Sequence, residues 1–215
     1  MVRCGVLAGV LLIAFSGAGP AWTSGAPPSA RLLLVRPTEL VGFEAQGTAA
    51  VYTSVAAWVK AVDAGDPATA RHDTTALPGE GFMSGASQQQ RGTGTDSHGA
   101  GFSAGLVFRT SAGATADVAH TLSGSLAATR AEGSETIVRF TVSGVPRAEG
   151  FTAIKRGQHA MAGNVYFATG RCEVNIGEEA NPSGNLSQAL LQQTVQESVT
   201  SAAARVYTRV HRSCA

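Results

Sequence analysis

The segment Gly101-Phe102-Ser103-Ala104-Gly105 spells G-x-S-x-G. In an α/β-hydrolase that spacing forms a strained strand-to-helix turn that lifts the serine oxygen out as a nucleophile. Asp117, His120, His159 and His211 are residues of the right types to complete such a site. His98-Gly99-Ala100-Gly101 has the composition of an oxyanion loop, but it abuts the serine instead of lying well upstream. The local pattern argues against a nucleophile. Phe102, Ala104, Leu106 and Phe108 alternate with smaller or polar residues straight through the motif, as in a half-buried strand. Ser103 is therefore expected in mid-strand on the face opposite Phe102. It is the one catalytic candidate, and no catalytic residue is assigned.

Metal chemistry has a thinner basis. His72, His98, His120, His159 and His211 form neither HxxxH nor HExxH. Asp96 and His98 would share one side of a strand, and Asp73 or His72 would have to come from elsewhere in the fold. A protein site needs three or four ligands and an orienting outer shell, so no metal is assigned. The Gly79-Glu80-Gly81 and Gly92-Thr93-Gly94 segments lack a Walker lysine and the dinucleotide fingerprint, and no cofactor is expected. Arg205, Arg209, His211 and Arg212 suit the C-terminal end of a helix dipole, and are read as a solvated face. Trp58 reads as a core residue, and Gln88-Gln89-Gln90-Arg91 as an exposed polar strand edge. Asn185-Leu186-Ser187 is a formal glycosylation sequon of little weight in a bacterial chain.

Of the three cysteines, Cys4 lies in the amino-terminal apolar segment, leaving Cys172 and Cys214 as an even pair. In an exported protein such a pair favours a disulfide. Closing that loop would stabilise the fold by roughly 3–4 kcal/mol on the chain-entropy model and tie a C-terminal helix to the sheet.

Residues 1–26 read as a secretory signal. Arg3 precedes an apolar run over 5–15 that is too short to span a bilayer as a helix, and small residues follow at 16–18, 19–21 and 24–26, with cleavage after Ala18 or Ala21 fitting the small-x-small rule. Removing it leaves the chain formally neutral. The full 215 residues carry 16 basic and 15 acidic groups, net +1, so nothing in the charge points to nucleic acid as a partner. Charged residues are 14%, against roughly 25% in an average globular chain. Lys60 and Lys155 are the only lysines, and the excess of Arg, Ala and Gly suggests a GC-rich bacterial coding sequence. No membrane span is expected after signal cleavage.

Residues 27–31 read as a short leader and 32–215 as a single domain. Val41-Gly42-Phe43 reads as a first strand. Val51, Val55, Trp58, Val59 and Val62 then mark one face of a helix. A further helical turn over 68–76 ends before a Pro78-Gly79 turn. Strands follow over 81–91 and 102–108, then a helix marked by Val118, Leu122 and Leu126. Strands over 136–142, 151–154, 164–168 and 171–176 come next, with Thr169-Gly170 as a tight turn. Leu191, Val195, Val199, Ala202, Val206 and Val210 define a long C-terminal helix. This order predicts an α+β fold: a twisted, mainly antiparallel sheet with helices packed on it. Parallel pairing is expected at one or two places at most.

Three pieces carry a resemblance: Leu40-Val41-Gly42-Phe43; the strand-to-helix stretch Gly105-Leu106-Val107-Phe108-Arg109-Thr110-Ser111-Ala112-Gly113-Ala114; and Val145-Pro146-Arg147-Ala148 with Asn164-Val165-Tyr166-Phe167-Ala168-Thr169-Gly170. Over residues 32–212 the chain resembles uncharacterised exported actinobacterial proteins, some with a PsbP-like layout. The resemblance implies export and that layout. It supplies no activity and no site residues.

These observations favour an exported, non-catalytic binding domain of the cell envelope or the medium. Its partner would be a small apolar ligand, an envelope component or a protein. The alternatives are a secreted serine hydrolase using Ser103 and a purely structural envelope interaction protein.

Overall fold

In the computed structural model, the described residues are 26–64, 67–93, 99–134, 136–154, 160–181 and 186–215. His98, Asp96, Lys155, His159, Asn185 and nearly all of the expected signal segment lie outside them. Seven strands form one sheet: β1 (Phe43–Tyr52), β2 (Phe82–Gly92), β3 (Ala100–Phe108), β4 (Thr136–Thr141), β5 (Glu149–Ile154), β6 (Met161–Thr169) and β7 (Cys172–Ala180). Their spatial order is β1-β2-β3-β7-β6-β5-β4. Every pairing is antiparallel, which removes the expected parallel contacts. The chain avoids a parallel neighbour because the long excursion after β3 delivers β4 to the far edge. From there the chain returns inward by short connections until β7 closes onto β3.

Four helices, α1 (Val55–Val62), α2 (Pro67–Glu80), α3 (Ser111–Ala131) and α4 (Gln188–Cys214), cover the two faces of the sheet. Pleating sends alternate residues to opposite faces. Along β7, Cys172, Val174 and Ile176 enter the main core with Val199, Ala202 and Val206 of α4. Along β3, Ala104, Leu106 and Phe108 pack instead with Trp58, Leu77 and Ala114, on the face covered by α1, α2 and α3. The sheet is therefore a middle layer, and central strands β3 and β7 are shielded on both sides.

Three local expectations are corrected. The first strand does not end near Phe43 but continues to Tyr52, and α1 begins only at Val55, with Ser54 accepting from Ala57 N at 3.2 Å. Val51 thus belongs to the strand. β1 is an exposed edge, so neither of its faces carries an apolar stripe to read. The second helix runs to Glu80 with Pro78 in its last turn. Gln88 and Gln90 are buried and not an exposed edge, because β1 lies outside β2 and Gln88 donates to Gln46 O at 3.0 Å.

Cys172 and Cys214 form a disulfide with Cα atoms 5.6 Å apart, joining β7 to the last turn of α4.

Candidate functional site

Ser103 is fully buried in the middle of β3, where its Oγ accepts a hydrogen bond from Val35 N at 3.3 Å. It faces the α4 side with Gly101, Gly105 and Val107, whereas Asp117 and His120 lie on α3 across the sheet. His211 bonds carbonyls of its own helix, at 3.1 Å from Tyr207 O. The structure thus does not bring the described hydrolase candidates, Ser103, Asp117, His120 and His211, together. The small residues of G-x-S-x-G have another purpose. A Cβ on Gly105 would collide with Leu33, and one on Gly101 would come within 3.0 Å of Phe43. The motif is a shallow channel that seats the N-terminal segment, whose Ala30–Leu33 turn is fixed against the sheet.

The basic residues of α4 hold the same segment down. Arg209 Nε and Nη2 reach the two oxygens of Glu39 at 2.7 and 2.8 Å, and Nη2 also reaches Leu34 O at 2.9 Å. Arg205 donates to Thr38 O at 2.7 Å. Arg209 and Arg205 are therefore clamps and not part of a solvated face. Burial works to raise the Glu39 pKa, but Arg209 and the Arg36 N–H overcome it and hold the carboxyl below its usual range.

The opposite face holds the feature that stands out. A groove of about 770 Å3 runs between α2 and α3, past Pro67, His72, Asp73, His120, Gly124 and Ala128. It continues through Thr69, Asp73, Thr121 and Ser125 into an inner cavity of about 240 Å3. Trp58 and Val62 of α1, Phe102 and Leu106 of β3, and Glu173 and Asn175 of β7 line that cavity. The groove exists because α3 is built from Ala, Ser, Thr and Gly, whose side chains are too short to close the gap to α2. At Gly124 a Cβ would meet nothing within 4 Å.

Around the inner end the interior is acidic. Asp117 and Glu173 are 1% and 3% exposed, and Asp73 and Asp63 are also buried. Burial pushes the Asp117 pKa up to about 7, with the Glu80 and Asp73 charges adding and the Glu173 hydrogen bond opposing. Burial, then the Asp117 charge, drives Glu173 well above the usual carboxylate range. The Asp73 pKa is also raised by burial, against the hydrogen bond from Trp58 Nε1 at 3.4 Å. Among the described residues no protein donor reaches Glu173 Oε2, Asp117 Oδ2 or Asn175 Oδ1. Asp117 and Glu173 can bond each other only when one carries a proton. His72 and His120 stack at the groove with ring centroids 3.6 Å apart. Tyr166 OH donates to Ser125 Oγ at 2.9 Å, and burial raises the Tyr166 pKa to about 12.

Asp73, His72, Asp117 and His120 are residues the sequence offered, though for other chemistry. Glu173 and Asn175 escaped notice because they alternate with Cys172, Val174 and Ile176 and so read as a solvent face. Their signal was the central place of β7, which requires cover on both sides. No set of three or more His, Cys, Asp or Glu among the described residues is arranged to hold a metal ion. No described helix is long and apolar enough to cross a membrane.

No protein-family model matches the chain, and no curated protein resembles it. Among solved structures, the chain is similar to the extracellular domain of PknH from Mycobacterium tuberculosis, at 12% identity and a TM-score of 0.46, over 85% of this chain and 98% of that one. That likeness does not bear on the PsbP-like layout.

Proposed function

We propose that this protein is an extracytoplasmic, non-catalytic binding domain that holds a small ligand in the groove and cavity beneath α1, α2 and α3. The observation that carries the reading is the continuity of the two spaces, an open groove of about 770 Å3 leading into a cavity of about 240 Å3. The groove's size is that of small-molecule sites, which run from about 300 to 1,000 Å3. Most of its wall area is apolar, with polar side chains such as His72, His120, Ser123 and Glu132 spaced along it. Export rests on the reading of residues 1–26 as a signal, and residues 32–215 form the binding domain.

The test is native mass spectrometry of protein secreted by a bacterial host, compared with Gly124→Leu. The leucine would project into open groove, and replacing a helical glycine favours α3 by up to about 1 kcal/mol. The expected result is a stoichiometric adduct on the parent protein that is absent from a fully folded Gly124→Leu. A parent protein that carries no adduct, or an adduct that Gly124→Leu retains, would overturn the reading.

A further inference from the structure

We propose that the inner cavity takes the unbranched alkyl end of a single-chain amphiphile whose polar head stays in the open groove between α2 and α3. This rests on the binding reading above and names its ligand class. The argument begins with the walls. Trp58 and Val62 of α1 and Phe102, Ala104 and Leu106 of β3 line the cavity, and most of its wall area is apolar. No Lys or Arg is among the described residues that line it, so nothing there pairs with a carboxylate or phosphate head.

The second observation is where the polar groups of the lining are engaged. Glu173 and Asn175 of β7 border the cavity, but Glu173 Oε2 and Asn175 Oδ1 have almost no accessible surface and so do not open into it. Glu173 bonds Asp117, and Asn175 bonds Tyr166. Ser125 Oγ accepts from Tyr166 OH at 2.9 Å, and Asp73 Oδ2 accepts from Trp58 Nε1 at 3.4 Å. Burial raises the pKa of Asp73 and of Glu173, which works against their charged forms. The cavity thus offers few open hydrogen-bonding groups, and an apolar cavity of that kind stays dry and admits hydrocarbon.

Shape sets the direction of entry. The inner space of about 240 Å3 is reached past Thr69, Asp73, Thr121 and Ser125 from a groove of about 770 Å3. A small recess behind an open groove admits one chain, end-on. The polar head is left where His72, His120, Ser123 and Glu132 are spaced along the groove. Entering head first, the same molecule would exchange the hydration of its head for walls that are mostly hydrocarbon. A buried polar group recovers that loss only through hydrogen bonds.

The experiment uses Trp22→Phe, in which Trp58 is the only tryptophan. Calorimetric titration with butanol, hexanol and octanol is expected to show one-to-one binding that tightens by roughly three- to fourfold for each added methylene. Octanol brominated at its terminal carbon is expected to quench Trp58 fluorescence, and octanol brominated beside the hydroxyl to leave it nearly unchanged. Thr121→Phe fills the junction from α3, and Val62→Phe fills the cavity from α1. Each is expected to abolish the gain with chain length while circular dichroism shows the fold retained. An adduct with one alkyl chain, extracted from the secreted protein, supports the assignment whatever its head. Equal quenching by the two bromides, a chain-length gain that survives both variants, or an adduct with no alkyl chain overturns the assignment and leaves the binding reading standing. Absence of alkanol binding overturns the alkyl assignment alone where native mass spectrometry finds an adduct lost in Gly124→Leu, and both readings where it finds none.

Discussion

Gly105 has no room for a side chain: a methyl group there would run into Leu33. Gly105→Ala should therefore cost about 1–3 kcal/mol by forcing the N-terminal segment off the sheet, measurable as a lower urea midpoint. A hydrolase nucleophile at Ser103 would make ester turnover depend on its hydroxyl, and the buried position predicts the opposite. Any ester turnover in the purified protein should survive Ser103→Ala, because the hydroxyl is buried and bonded to Val35 N. The other anchor of this segment is the Glu39–Arg209 pair, in which both side chains are mostly buried. Arg209→Met strands Glu39 and should destabilise by about 3–5 kcal/mol at pH 7, read from denaturant unfolding. The Glu39 pKa is lowered on folding, so its contribution is present above its unfolded value of 4.5 and fades as pH falls through the folded one. At pH 3 the penalty of Arg209→Met should shrink. None of these partnerships was legible beforehand, since they join residues about 70 to 170 positions apart.

At the scale of elements, legibility followed periodicity. α4 was readable because Leu191, Val195, Val199, Ala202, Val206 and Val210 form one unbroken buried stripe. β3 was readable because its core-facing residues alternate in size. β1 was not, because an edge strand is held by its backbone ladder to β2 and needs no apolar face. The site was hidden for a related reason: α3 makes its groove with small side chains, and smallness at helical spacing looks like loose packing. The Cys172–Cys214 link acts at this scale as well. Arg171 N donates to Cys214 O at 2.9 Å, so the end of α4 is already seated on the turn between β6 and β7. The bridge then closes a loop of 42 residues. Cys214→Ser with Cys172→Ser should cost roughly 3–4 kcal/mol by restoring chain entropy to the unfolded state. In hydrogen exchange, the last turns of α4 should lose protection more than β7, whose ladders with β3 and β6 remain.

Across the whole molecule, a chain that is nearly neutral in sum has an uneven interior. Among the described residues the α4 side of the sheet holds the one mostly buried ion pair, Glu39–Arg209, and carboxyl groups without a Lys or Arg partner are buried on both sides, Glu178 beneath α4 and Asp117 and Glu173 beneath α3. Those buried acids set the response to pH. The pKa values of Asp117, Glu173 and Asp73 are raised on folding, and Glu178, buried under α4 beside Ser198, is raised to about 7. An acid whose folded pKa is raised stabilises the fold fully below its unfolded value, and that contribution is lost as pH rises through the folded one. The native protein thus holds extra protons between about pH 4 and 7, and stability must fall across that window. With one pKa unit equal to about 1.4 kcal/mol, the loss reaches a few kcal/mol for Asp117 alone. The melting temperature should be higher at pH 5 than at pH 8, and Glu173→Gln should flatten the slope by removing one of the groups forced to ionise in the interior.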